Sequence, residues 1–417
     1  MPNRVFTPER RDPDPFTLRP QYLRARTGTV RHVGAEALTI DDLSGNPHPH
    51  LARLRAASPV AWVPVLGSHL VTGRLAALDV LRDPATFTVD DRRFSTAQVV
   101  GQSMLSLDGA DHARHRHPFV APFRPRQVDN RFGGFVTAQV DRLLERIAGT
   151  GSPTAELRTQ LAGPLAAAVV AESIGLKGGD DQVVGRLLGW YREIVSSVSG
   201  VAAGCPVTDT GRTAMAELSR SLSEHISDDG SLLGDAVSAG GLSTAESISN
   251  AAVIMFGGIE TTEAMILNVL WHLLGDPEAL AEVRSRPEHV TAAVEESLRL
   301  EPAAAVVDRY ATRDVELAGT AISKGDMVTV SLAGANRDPD EFTDPDRFDL
   351  HRKNLRRQLA FAAGPHVCVG MDLARLEATA AVSGVLARFP AMRVGSGAPA
   401  PTGLVFRKPD SLPVVLR

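Results

Sequence analysis

The stretch "FAAGPHVCVGMDLAR" (361–375) carries Cys368, one of two cysteines in the chain, between Gly364 and Gly370 and directly ahead of residues that read as a helix. That helix points unpaired N–H groups and the positive end of its dipole back at the sulfur, which favours thiolate over thiol. A thiolate there could ligate a metal or attack a substrate. The bland alternative is a buried structural cysteine in a strand-to-helix turn. Zinc would want more Cys or His ligands at short spacing, and neither a CxxC pair nor a second cysteine nearby supplies them. A lone thiolate suits an axial haem ligand, and flanking glycines give room for a flat group to approach the main chain.

Other constellations are less specific. "GGIETT" (257–262) sets adjacent glycines inside a helical pattern, at a cost of about 1 kcal/mol each relative to alanine. Thr261 can bond the carbonyl of Gly257 one turn back and open a local groove, whereas the plain reading of the glycines is close helix packing. "EESLR" puts Glu296 and Arg299 on one helical face, a spacing that more often marks a solvated pair. In "DGADHARHRHPF" (108–119), His112, His115 and His117 are scattered by helical geometry, so a metal cluster is not expected. Pro118 is expected to interrupt that helix.

The elements that must position these groups are mostly helical. "VAWVPVLGSHLVTG" (60–73) reads as two short strands around Gly67, followed by a helix over 75–83. From about 112 to 300 the pattern is helical, broken by Gly, Pro, Asp and Ser clusters. Its longest segment opens on "STAE" (243–246), a capping box, and carries apolar residues on several faces, as a helix through the core would. Strands and turns follow residue 300 up to the cysteine loop, then a last long helix over about 371–388 and C-terminal strands. The expectation is a mainly α fold with a small β region, one domain over 1–417, and a surface arm over 1–30.

With 417 residues and a net charge of -5, the chain has room for cofactor and substrate together and no basic, aromatic-interleaved stretch for nucleic acid. Neither a bilayer-spanning apolar run nor a signal-peptide core is evident, so a cytoplasmic protein with no membrane partner is expected.

Phe361, Gly364, His366, Cys368 and Gly370, followed by Leu373, Ala374, Arg375 and Glu377, resemble the haem-binding segment of the cytochrome P-450 family. Motifs in the same order extend the resemblance from about residue 47 to the C-terminus: His112 and Arg116, Glu260 and Thr261, Glu296 and Arg299, Arg309, "NRDP" (336–339) and "FTDPDRFDL" (342–350). The resemblance implies the cytochrome P-450 fold, with haem b between the long central helix and the cysteine-loop helix. Cys368 would be the axial ligand. His112, Arg116, Arg309 and His366 would meet the haem propionates, since buried charge needs partners. Glu260 and Thr261 would relay protons to dioxygen, and Glu296 with Arg299 would lock the layer beside the cysteine.

The implied activity is a monooxygenase acting on a small molecule, fed by a ferredoxin and ferredoxin reductase through a basic patch such as Arg352, Lys353, Arg356 and Arg357. An ordinary solvated loop is the competing reading of that patch. Segments 88–105 and 180–215, together with Val253, Phe256, Gly257, Ala304, Val306, Leu404 and Val405, would line the substrate pocket. Their small, apolar character suggests a medium-sized, largely apolar substrate, and the Ala- and Arg-rich composition suggests bacterial secondary metabolism. The alternatives are desaturation, epoxidation, ring coupling, peroxide-driven oxidation, or haem binding without turnover as a recruiter.

Overall fold

The computed structural model describes residues 35, 37–202, 205–225, 231–238 and 240–417, so the expected arm over 1–30 lies outside the described residues. The helix Thr244–Gly275 is the axis of the molecule. The Ser243 hydroxyl accepts from Glu246 N–H while the Glu246 carboxylate accepts from Ser243 N–H, so both ends of the capping box form. Ala252, Met255, Ile259, Ile266 and Leu270 are buried, as expected for a helix apolar on several faces. Around it pack Gly163–Ser173, Val290–Leu300 and Met371–Arg388.

The β region is small and sits to one side. Its main sheet has five strands in the order Val60–Val63, Ser68–Val71, Met327–Ser331, Val306–Ala311 and Phe87–Thr88. The expected hairpin around Gly67 pairs antiparallel, and Ser68–Val71 then runs parallel to Met327–Ser331 with His69 opposite Val328. Strand Val306–Ala311, which carries Arg309, is held on both sides by antiparallel neighbours. Its position is therefore fixed by two ladders rather than by a loop.

One local expectation fails. Helix Gly109–Val120 continues through Pro118. The proline leaves the Arg114 carbonyl without its helical N–H partner, and the helix runs only two residues beyond it.

Candidate haem and substrate site

Gly364 begins a short 3-10 turn, Gly364–His366, at φ +73, and a Cβ there would lie 2.2 Å from the carbonyl oxygen of Leu81. Main chain meets main chain, so only glycine fits. Gly370 is different: it precedes helix Met371–Arg388 at φ -89, and a Cβ would find only Phe123 at 3.8 Å. Cys368 N–H donates to Phe361 O at 2.9 Å, which folds the loop back on itself and turns the thiol toward a cavity of about 1220 Å³.

The thiol is accessible from that cavity while lying deep in the protein. Burial pushes it above its ordinary value, against the Gly370 N–H and the Arg116 and Arg375 charges, which pull it down. The helix terminus favours thiolate, as expected from the sequence, but does not by itself outweigh burial. A coordinated metal ion would, since metal charge deprotonates a ligating thiol outright.

The middle of the long helix also lines the cavity, with Val253, Phe256, Gly257, Gly258, Thr261 and Thr262. Thr261 Oγ1 donates to Gly257 O, as the spacing suggested. The adjacent glycines have separate reasons: a Cβ on Gly258 would lie 2.6 Å from Val170 Cγ2, whereas Gly257 faces open space. Close helix packing explains the first and the groove explains the second.

The cationic groups expected to meet propionates converge on one side of this space. Arg116, Arg309 and His366 line it. Arg116 Nη2 donates to Val367 O at 2.6 Å, and Arg309 donates to Asp308 O at 2.8 Å. Burial lowers both guanidinium pKa values. His112 stands behind rather than on the wall, its ring stacked on His366 at 4.2 Å. The His112 Nε2 is buried without a hydrogen-bond partner, and burial lowers that ring to about 4. A buried Arg309, a half-buried Arg116 and a lone thiol on one large cavity, with an orphaned ring nitrogen behind His366, fit a haem with two propionates.

Glu260 is not on the cavity wall. Its Oε2 accepts from Tyr191 OH and its Oε1 from Lys408 Nζ at 2.6 Å, and Lys408 also reaches Glu263 Oε1 at 2.7 Å. Arg158 pairs with Glu263 at 2.7 Å. Burial, then the Glu260 charge, raises Tyr191 well above its ordinary value, so this phenol stays protonated.

Elsewhere the expectations divide. Val253, Phe256, Gly257, Ala304 and Val306 line the cavity, and the 88–105 and 180–215 segments contribute Met104, Leu105, Val198 and Ser199. Leu404 does not: it is buried against a separate cluster with Leu43 and Leu51, while Val405 and Phe406 reach the cavity. A left-handed Gly403, at φ +117, sets that turn, and Phe406 packs edge-on to Phe256 at 5.7 Å. Charged groups on the wall, Asp91, Arg92, Arg93, Asp308 and Asp326, make one side more polar than expected.

Glu296 and Arg299 pair at 2.7 Å with both side chains fully buried, so they are no surface bridge. Arg299 also donates to the carbonyls of Asn336, Pro345 and Arg347, and Arg352 joins Glu296 at 2.9 Å. Arg352 is therefore occupied in this lock, Arg357 pairs with Glu341 at 2.8 Å, and Lys353 and Arg356 are the exposed remainder of the basic run. Sequence reasoning gave no site role to Asp108, Tyr191, Lys408 or Phe406. It placed Glu377 only as part of the cysteine segment. That carboxyl lines the cavity, lacks a partner for Oε2, and is raised well above its usual range by burial.

Residues 226–399 match the family model described as Cytochrome P450. The cytochrome P450 monooxygenase PikC of Streptomyces venezuelae is 34% identical over 368 residues, covering 84% of this chain and 85% of the relative. Nocardicin C N-oxygenase of Nocardia uniformis subsp. tsuyamanensis is 31% identical over 399 residues, covering 90% and 96%. Among solved structures, P450BioI in complex with an acyl carrier protein ligated to hexadec-9Z-enoic acid superposes with a TM-score of 0.78 at 28% identity, covering 89% of this chain and 98% of that one.

Proposed function

This chain belongs to the cytochrome P450 family of haem-thiolate monooxygenases, and from that premise we propose that it uses electrons from a separate ferredoxin and its reductase to oxidise a medium-sized, largely apolar small molecule in bacterial secondary metabolism. The observation that carries the reading is the shared cavity, on which Cys368, Thr261, Arg116, Arg309 and His366 all open.

Haem b ligated by Cys368 supplies the dioxygen chemistry when bound, because a thiolate ligand pushes electron density toward cleavage of the O–O bond. Arg116, Arg309 and His366 hold its propionates, with His112 backing His366. Val253, Phe256, Ala304, Val306 and Phe406 would exclude water and orient the substrate in the cavity. The Thr261 hydroxyl, at the cavity wall, holds a proton beside the reacting atoms. Glu260 relays that proton from behind: once its carboxylate leaves Lys408 and Tyr191 it takes up a proton from bulk water and passes it to the Thr261 hydroxyl. Lys353 and Arg356 are exposed and suit an acidic electron donor.

A cytoplasmic location accords with this reading. Among the described residues, the helix long and apolar enough to cross a membrane is Thr244–Gly275, and 67% of its apolar window is buried inside the protein.

The test compares product formed with ferredoxin, reductase and nicotinamide cofactor against product formed with hydrogen peroxide alone. Faster turnover with the electron-transfer chain supports dioxygen activation. Equal or faster turnover with peroxide favours the peroxide-driven reading, for which the position of Glu260 off the cavity wall is the supporting observation.

A further inference from the structure

Asp108 precedes helix Gly109–Val120 at the position where an aspartate ordinarily caps the helix, yet its side chain makes no capping bond. It is spent elsewhere. Oδ1 accepts from His366 Nε2 at 2.7 Å, and Oδ2 accepts from Thr88 Oγ1 at 2.6 Å and from Val89 N–H at 2.8 Å. Burial alone would raise this carboxyl, and the His366, Thr88 and Val89 bonds overturn that and lower it.

We propose that Asp108 is a positioning residue for the cofactor, which locks the His366 ring toward the haem propionates and sets a fixed negative charge beside them. The proposal rests on the reading of His366 and Arg309 as propionate partners. Three contacts define the ring: Asp108 on Nε2, His112 stacked on its face at 4.2 Å, and the cavity along its remaining edge. Thr88 and Val89 anchor the carboxylate in turn to the edge strand Phe87–Thr88 and the loop behind it, so the ring is referenced to the β-sheet as well as to its own loop. Such outer partners of a cofactor's ligands fix orientation and tune the centre.

The charge has its own consequence. Behind a wall built to receive two anionic propionates, Asp108 sets an additional carboxylate on His366. That negative charge opposes reduction of the haem, so removing it shifts the reduction potential upward.

The experiment uses the full-length holoprotein with Asp108→Asn, Asp108→Ala, His366→Ala and the Asp108→Ala/His366→Ala pair. Reduction potential is read by spectroelectrochemical titration without substrate, and haem retention by the rate of transfer to apomyoglobin. Circular dichroism melts check folding, and Asp108→Asn keeps an acceptor for Thr88 and Val89. The expected result is a positive shift in potential for Asp108→Asn and haem loss about ten-fold faster for Asp108→Ala. In the His366→Ala background the Asp108→Ala change should add less than about two-fold, because the two act as a unit.

Folded variants with unchanged potential and unchanged haem loss would overturn the proposal. So would equal increments in both backgrounds, which would make Asp108 an independent strut. Unaltered haem loss in His366→Ala alone would instead overturn the propionate reading of His366.

Discussion

Lys408, on the C-terminal segment, holds Glu260 by Oε1 at 2.6 Å and keeps this acid off the cavity wall that its chain neighbour Thr261 helps to form. The same ammonium serves Glu263 at 2.7 Å. Removing it leaves two carboxylates facing each other with little compensation, so Lys408→Met is expected to cost roughly 3–5 kcal/mol. Thermal melts of the holoprotein check this, and an unchanged midpoint would mean that Arg158 alone satisfies both acids.

Glu260→Gln keeps a group able to bond Tyr191 but cannot deliver a proton. Turnover with ferredoxin should fall on the order of 10²-fold while peroxide-driven turnover, which needs no relay, stays near wild type. Parallel losses in both assays would remove Glu260 from the proton path.

Cys368→Ser should abolish the strongly red-shifted Soret band of the reduced carbon monoxide complex. Persistence of that band in the variant would show that another group ligates the iron.

Glu296→Gln leaves Arg299 and Arg352 as buried cations without their shared anion. The expected loss is about 3–5 kcal/mol, read from denaturant midpoints, together with lower haem content on purification.

Glu301 gives a pH-dependent term. Burial would raise it, but His48, Arg407 and Arg337 hold it at about 2, against an ordinary 4.5. Its folded value is depressed, so its stabilisation is complete above about 4.5 and is lost as pH falls toward about 2. Burial lowers the partner ring of His48, so Arg407, at 2.9 Å, is the main cation and His48 serves as a hydrogen-bond donor. Glu301→Gln should lose on the order of 3 kcal/mol at neutral pH, with the gap from wild type narrowing as pH falls from 4.5 toward about 2. Urea midpoints across that range decide it, and a constant gap would assign the loss to packing.

What could be read from the sequence was local. The helix Met371–Arg388 and the capped start of Thr244–Gly275 announced themselves through a glycine boundary, a capping box and apolar periodicity. Thr261 bonding back to Gly257 followed from one helical turn. Partners distant along the chain left no trace: nothing in "VFRKPD" marks Lys408 as the counterion of Glu260. Leu404 was assigned to the cavity because a loop has no period to say which residue turns inward, and the Gly403 turn decided for Phe406. Arg352 looked like surface charge because its neighbours in sequence are exposed, while the carboxylate it serves sits on another helix. Asp108 left no trace for the same reason, since its partners His366, Thr88 and Val89 lie on other segments.

The contact between Gly364 and the carbonyl of Leu81 involves no side chain of the helix Arg74–Arg82. Lineages can therefore rewrite that helix freely as far as this contact is concerned, provided its backbone path is kept. The burden of constancy falls on a single position of the cysteine loop, and an insertion or deletion that shifts the helix axis would reach the cofactor where a point substitution would not.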